Sequence, residues 1–390
     1  MKINEVIKSL LPEIIEIRRE LHKYPELSGE EYETSKKICS VLDKYEIEYK
    51  SNIGGYGVVA IIKGKSIGKT IAIRADMDAL PVIEENELDY CSLNKGVMHA
   101  CGHDTHTSIM LGAAIALKKF ENEFNGNVKF IFQPAEENCT GAKLMIKEGS
   151  LKSPDVDAII GLHVMPNVPT GKIELRYGKL NAATTTVDIK IHGKQGHAAY
   201  PDTAIDAIVM ASHVVVALQT TVSRSASPLN PIVLTFGTIK GGERPNIISK
   251  DAQIVGTLRT LDSESRRKAK ETIKRIAENT AIALGGTATV IFDDACLELI
   301  NNDKVSKIVE NTAIETVGIE NVIHKEFPSM GSEDFSYFSD TIPATFFHLG
   351  IANQTKGSVF PLHSENFRVD EDCIEIGINM EVNSVLNLLK

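Results

Sequence analysis

Apolar residues at 7, 10, 11, 14, 15, 17 and 21 recur at helical spacing and predict an amphipathic helix over 4–24, closed by Tyr24 and Pro25. A second helix is expected over 29–45. Apolar runs at 57–62, 70–74, 128–132 and 158–162 predict strands, and 108–117, apolar on every side, predicts a buried helix. With a further helix over 140–148, strands and helices alternate. That order predicts an α/β fold with a largely parallel sheet flanked by helices.

Beyond residue 182 the pattern changes. Residues 183–192 alternate and are β-branched, which predicts a half-buried strand; a helix over 204–222 and strands over 232–239 and 252–260 follow. A helix over 263–284 and a strand over 287–292 complete a strand, helix, strand, strand, helix, strand order, the ferredoxin-like α/β sandwich. Polar clusters like those of the first part then return. The expected organisation is one domain from 1–181 and 293–390, interrupted by an inserted domain over 182–292. A length of 390 residues suits two domains.

The polar residues of the first part are not scattered. Asp78, Cys101, His103, Glu136, Glu137 and His163 stand at or just past the ends of apolar strands, or where a helix begins. In open α/β sheets the carboxyl ends of strands form the ligand crevice, so these positions are expected to be neighbours. The stretch MHACGHDTHT, residues 98–107, sets three histidines and a cysteine within eight positions. Imidazole and thiolate are the ligands that borderline-soft divalent metals prefer.

Composition narrows the field. Hydrophobic residues make up 43% and charged residues 24%, as in globular proteins, and the net charge is -10. No basic footprint for nucleic acid exists; Arg266, Arg267, Lys268 and Lys270 lie among acids and read as a solvated helix face. The first twenty residues contain no unbroken apolar core of a signal peptide. The longest apolar stretch, 204–218, contains Asp206 and His213 and reads as too short for a bilayer. Six cysteines without CxxC spacing read as reduced thiols of a cytoplasmic protein, one of them a possible ligand.

Individually the chemical signals are weak. A Glu-Glu pair is usually a solvated loop, a histidine ending an apolar strand is more often satisfied by a backbone carbonyl, and His197 between glycine and alanines suits a surface turn. Adjacent carboxylates after a strand also suit one metal ligand beside one general base.

The ordered set carries more. RADMDALP, MHACGHDTHT, FQPAEE, GLHVMP, GHAAYPD, RPNIIS, GTLRT, MGSEDFSYF and LHSENF, opened by ELHKYPELSGEE, together resemble the metal-dependent amidohydrolases of the aminoacylase and carboxypeptidase superfamily. The resemblance is to the branch of hippurate hydrolases, N-acyl-L-amino-acid amidohydrolases, N-acetyldiaminopimelate deacetylases and auxin-conjugate hydrolases, and it spans the chain. It implies a dinuclear-metal exopeptidase-like fold with a lid domain, and two divalent ions, zinc or manganese with cobalt or nickel also accommodated. Cys101, His103, Glu137, His163 and His363 would be their ligands. Glu136 would be the general base and Asp78 a carboxylate supporting base and metals. Where the wider superfamily has a histidine ligand two residues earlier, this chain has Asp76. His99 and His106 are expected to pack or hydrogen-bond instead of ligating.

In the inserted domain the resemblance makes His197 a lid histidine reaching a partner subunit's site. It makes Asn246 and Arg259 binders of the substrate's carboxylate or carbonyl, and Gly331 and Ser332 part of the pocket wall. The implied activity is hydrolysis of N-acyl amino acids by a homodimer or homotetramer joined through the lid, with no nucleic-acid or membrane partner. Rival readings are a dipeptidase or carboxypeptidase, a deacetylase of N-acetyldiaminopimelate, a non-catalytic metal protein, and a Cys101 nucleophile.

Overall fold

The computed structural model describes residues 2–390 and divides the chain into two compact units. The first comprises Met1–Leu180, Ile300–Phe327 and Asp334–Lys390; the second comprises Asn181–Leu299 and Pro328–Glu333. The expected break after residue 292 falls inside a strand that continues to Cys296. The short segment 328–333, which carries Gly331 and Ser332, groups with the second unit.

The chain begins with helices α1 (Ile3–Lys23) and α2 (Tyr32–Lys44), then strands β1 (Glu48–Ile53), β2 (Gly57–Lys63) and β3 (Thr70–Asp76). Helix α3 (His103–Lys119), β4 (Asn127–Gln133), α4 (Gly141–Lys147), β5 (Ala158–Pro169), β6 (Ile173–Leu175) and β7 (Gly178–Asn181) follow. The second unit supplies β8 (Ala183–His192), β9 (Gly196–His197), α5 (Ala207–Thr220), β10 (Ile232–Gly241), β11 (Ile247–Ile248), β12 (Asp251–Thr260), α6 (Ser263–Ala283) and β13 (Thr287–Cys296). After β14 (Leu299–Asn301) the chain adds α7 (Asp303–Val317), β15 (Val322–His324), α8 (Ser336–Thr341), β16 (Ala344–Ala352) and α9 (Cys373–Leu389).

The first unit is built on an eight-stranded sheet ordered β1-β2-β4-β3-β5-β16-β6-β15. Its centre, β4-β3-β5-β16, is parallel, and antiparallel pairings lie towards the edges. Central β3, TIAIRAD, is buried at every position, as a strand covered on both faces must be. Helices α1, α3 and α9 share one hydrophobic core with these strands. The α1 residues Ile7, Leu10, Ile14, Ile17 and Leu21 form its buried stripe, which matches the period read from sequence.

The second unit is an antiparallel sheet, β10-β12-β8-β13, with α5 and α6 sharing its apolar core. Chain order and strand order are ferredoxin-like. Helix α5 starts three residues later than expected because the Asp206 side chain accepts from Ile208 N and Val209 N and caps it there. Residues Ala207–Ser225 are long and apolar enough to cross a membrane by length and composition, which corrects the reading of that stretch as too short. Ala207, Met210, Ala211, Val214 and Leu218 nevertheless lie buried in the sandwich core, as expected of a helix packed on a sheet. Cys39, Cys91, Cys101 and Cys373 are free, but Cys139 and Cys296 are disulfide-bonded, so the expectation of six reduced thiols fails at these two. Cysteine usage therefore carries no argument about compartment.

One core residue conflicts with its surroundings. Glu381 in α9 is 1% exposed, and neither carboxylate oxygen has a hydrogen-bond partner. Burial pushes its carboxyl well above the usual range, so it folds in the neutral form. A carboxyl whose folded pKa is raised carries no ionisation penalty below its unfolded value, and stability is lost as pH rises above about 4.3. Glu381→Gln is expected to raise the Tm by several degrees at pH 8 and by much less at pH 4.5. Calorimetry giving equal shifts at both would place the penalty in packing, not charge.

Candidate metal centre

Three parallel strands deliver the polar residues to one edge. Asp76 pairs with Gln133 across β3 and β4, and Arg74 with Gly161 across β3 and β5. Asp78 therefore emerges just past β3, Glu136 and Glu137 just past β4, and His163 near the same level in β5. Helix α3 starts here with His103 as its first residue. Gly102 makes that start possible: its φ is +88°, and a Cβ there would lie 2.4 Å from Val164 Cγ2. Cys101 and His103 can approach β5 only because nothing larger stands between them.

The residues expected to gather do gather. One ligand atom from each of Cys101, His103 and His163 lies within 4.8 Å of the others, and the same holds for Cys101, Glu137 and His363. His103, Glu136 and Glu137 form a third such set. Cys101 Sγ is 3.4 Å from His163 Nε2, and His363 Nε2 is 3.6 Å from Glu137 Oε1.

Hydrogen bonds fix which atoms face the cleft. His103 Nδ1 is 3.1 Å from Asp78 Oδ1, and Asp78 Oδ2 accepts from Ser28 Oγ and Glu137 N. His103 Nε2 and Glu137 Oε1, 3.9 Å apart, are left buried without a hydrogen-bond partner among the described residues. Two orphaned buried atoms of this chemistry cost about 1–3 kcal/mol each unless a cation takes them. His163 Nδ1 lies 2.7 Å from Val164 O, which can only accept, so Nδ1 carries the proton and Nε2 presents its lone pair to Cys101. The donor set fits divalent metal.

Charges point the same way. Burial pushes Asp78 up, but the hydrogen bond and charge of His103, with Ser28 and Glu137 N–H, outweigh it and hold the carboxyl below its usual range. Burial pushes Glu137 up to about 7, with Asp78 and Asp76 adding to the effect against His103. Burial and Glu137 likewise raise the Cys101 thiol. Both are groups that a bound cation would return to the charged form.

The remaining histidines separate by their partners. His106 Nε2 accepts from Val164 N at 2.9 Å, so Nδ1 donates to Asp76 Oδ1 at 2.6 Å, and no lone pair is left for a metal. Asp76, at the position where the resemblance has a ligand in its relatives, is taken up by His106 and by Arg74 Nη1 at 2.6 Å. His99 is 2% exposed, neither ring nitrogen has a partner, and burial pushes it down to about 4. His363 has a positive φ of 66° and is fixed by its N–H to Ala100 O.

Several supporting residues were not singled out from the sequence. Asp104, beside His103, is ion-paired with Arg18, whose Nε lies 2.9 Å from Oδ2, and lies 2.7 Å from His22 Nδ1, which ties the first turn of α3 to α1. Glu31 Oε1 accepts from Gly29 N and from Ala135 N, the residue before the Glu136-Glu137 pair, and burial pushes its carboxyl up to about 7. Arg74, fully buried, binds Gln133, Asp76 and Asp334. The available signal was a basic residue inside an otherwise apolar central strand, which is costly unless paired.

In the second unit, β9 and β11 pair His197 with Ile247, and Ala198 N donates to Asn246 O, so His197 and Asn246 are neighbours. His197 is exposed, with its ring centroid 5.4 Å from that of Tyr200 and the two planes tilted by 47°. Arg259 Nη1 donates to Ser332 Oγ at 2.8 Å, and Gly331 O accepts from Ala182 N. Arg259 is partly buried without an acidic partner among the described residues, and burial lowers its pKa.

Comparison with known proteins places the chain in a family. Residues 72–387 match the model of peptidase family M20/M25/M40. Thermostable carboxypeptidase 1 of Saccharolobus solfataricus is 40% identical over 96% of this chain and 95% of its own. N-acetyl-L-cysteine deacetylase of Bacillus subtilis is 39% identical over 94% of this chain and 86% of its own. The solved structure of the YXEP protein of Bacillus subtilis, described as a dinuclear metal-binding peptidase, superposes with a TM-score of 0.86 at 32% identity, covering 98% of this chain and 99% of that one. The chain thus belongs to peptidase family M20/M25/M40, as a metal-dependent amidohydrolase.

Proposed function

We propose that this chain hydrolyses the amide bond of N-acyl-L-amino acids, such as hippurate or N-acetyl amino acids, to a carboxylate and a free amino acid. The observation that best supports it is the double triad sharing Cys101, with His103 and His163 on one side and Glu137 and His363 on the other, and Glu136 adjoining. In this reading these five residues hold two divalent ions, zinc or manganese, or cobalt or nickel. When bound, the ions acidify a water and polarise the substrate carbonyl. Asp78 holds His103 by Nδ1, so that Nε2 faces the cleft. Glu136 takes the proton of the attacking water and returns it to the leaving nitrogen.

The second unit supplies recognition. Arg259 is a partly buried guanidinium with a hydroxyl and, among the described residues, no acid beside it, which suits the α-carboxylate of an N-acyl amino acid. Asn246 and the wall at Gly331 and Ser332 complete the grip. His197, exposed on its short ribbon, stabilises the oxyanion of a partner subunit's substrate. A homodimer through this unit is supported by the free edge of β10 and by a stripe of exposed Val209, His213 and Val216 on α5.

A carboxypeptidase-like activity is the second reading, favoured by the similarity to a relative of that name. A dipeptidase and a deacetylase of N-acetyldiaminopimelate belong to the same chemistry, and a panel of hippurate, N-acetyl amino acids and dipeptides separates them.

Glu136→Gln is expected to keep its bound metal and lose turnover by several orders of magnitude. Near-native activity in the metal-loaded variant would remove Glu136 as the base. Arg259→Met is expected to raise KM about 10- to 100-fold for substrates with a free α-carboxylate. It should leave the corresponding α-carboxamides unaffected, and an equal loss on both would exclude carboxylate recognition. Mixing inactive His197→Ala and Glu136→Gln subunits should restore activity, because one site in the mixed dimer carries both residues. Absence of recovery in a verified mixed dimer would place His197 in its own subunit's site.

A further inference from the structure

Arg74 serves as more than a filled core position. Its guanidinium is buried, and each arm has a different partner: Nε donates to Gln133 Oε1 at 2.7 Å, Nη1 to Asp76 Oδ2 at 2.6 Å, and Nη2 to Asp334 Oδ1 at 2.8 Å. Gln133 Nε2 also donates to Asp334, and Ala142 N closes the same carboxylate. From this hub two chains of hydrogen bonds run to the candidate centre.

The first chain passes from Asp76 to His106 Nδ1, then from His106 Nε2 to the N–H of Val164. The carbonyl of that same residue accepts from His163 Nδ1, whose Nε2 faces Cys101. Every donor in the chain is forced. A backbone N–H only donates, so His106 Nε2 must accept and Nδ1 must carry the proton, which requires an ionised acceptor at Asp76. Val164 is thereby pinned, and its carbonyl holds the His163 ring with one defined nitrogen outward. The second chain passes through Asp334, whose N–H approaches Glu136 Oε1 at 3.4 Å.

We infer that Arg74 is a positioning residue that, through Asp76 and His106, fixes the ring of His163 and, through Asp334, the carboxylate of Glu136. It thereby sets the ligand geometry of one metal position and the aim of the base together. The inference rests on the metal-site reading above. A lysine cannot replace Arg74, because one ammonium cannot span two carboxylates and an amide in a plane. Asp76→Asn nearly preserves shape but sets an amide donor against either Arg74 or His106 Nδ1. That forces the wrong tautomer or breaks the link to the guanidinium.

The test uses metal-stripped wild-type chain, Arg74→Lys and Asp76→Asn, each titrated with Co(II) or Zn(II) against a chromophoric chelator. Circular dichroism and thermal unfolding of the metal-free proteins run alongside. The wild type should take up two ions. Both variants should stay folded, bind one ion as the wild type does and the other about 10- to 100-fold more weakly. Their kcat should fall while KM is retained, and the Co(II)–thiolate absorption, which reports Cys101 beside His163, should change. A wild type that binds fewer than two ions takes down the metal-site reading itself. A wild type that binds two, with variants matching it in affinity and kcat, overturns the role of Arg74 alone. Loss of the metal-free fold in both variants overturns it too, because the hub would then hold the sheet and not the ligand.

Discussion

The first unit is shaped around a concentration of like charge that the fold must neutralise. Asp76, Asp78, Glu136 and Asp334 are buried and Glu137 nearly so, all at one edge of the sheet. Carboxylates cannot share a low-dielectric space without cations or protons between them. Arg74 answers for two of them directly, at Asp76 and Asp334. Asp78 is satisfied by His103, Ser28 and the Glu137 N–H. What remains, with Glu137 and His103 each leaving a buried atom without a hydrogen bond among the described residues, is the space that divalent cations suit. Divalent cations are therefore favoured by the electrostatics as well as allowed by ligand type.

That division explains how much of the protein could be read from sequence. The α/β fold followed from period: β3 and β4 were expected as apolar runs because central parallel strands are buried on both faces. The candidate ligands were legible because each interrupts an apolar run with a residue of metal-binding type, His163 in IIGLHVMP being an example. Arg74, Asp334, His22 and Asp104 were not assigned roles, although all stood in quoted motifs. Their partners are remote in sequence, Arg74 and Asp334 being 260 residues apart, and no local pattern announces such a contact. The inserted unit was visible from its change of pattern, but the grouping of 328–333 with it was not. Six residues, too few for a hydrophobic period, record only where the chain passes.

Backbone strain recurs beside the candidate centre, although Glu46, Asn52 and Ser153 also have positive φ away from it. Ala135 and Cys139 have φ of 53° and 54°, bracketing the Glu136-Glu137 turn, and His363 has 66°. Such conformations cost about 1–3 kcal/mol each when side chains are not glycine. They persist where neighbours hold them. Glu31 binds the Ala135 N–H, and Ala100 O binds the His363 N–H. Ala100 also lies next to Cys101, so one short loop sets both a candidate thiolate and the turn of a candidate imidazole. Loosening it would displace ligands from two remote segments at once.

Arg74 and Asp104 solve related problems by opposite routes. Asp104 receives two cationic partners, Arg18 and His22, both from α1, so a single helix-to-helix tie fixes the start of α3. Arg74 gives to two anionic partners from different segments, and each of those passes the constraint on. An anion gathering cations on one helix pins an element. A cation shared between carboxylates couples elements, because moving either carboxylate changes the field felt by the other. The coupling runs through one guanidinium in the sheet's central strand, which is buried at every position.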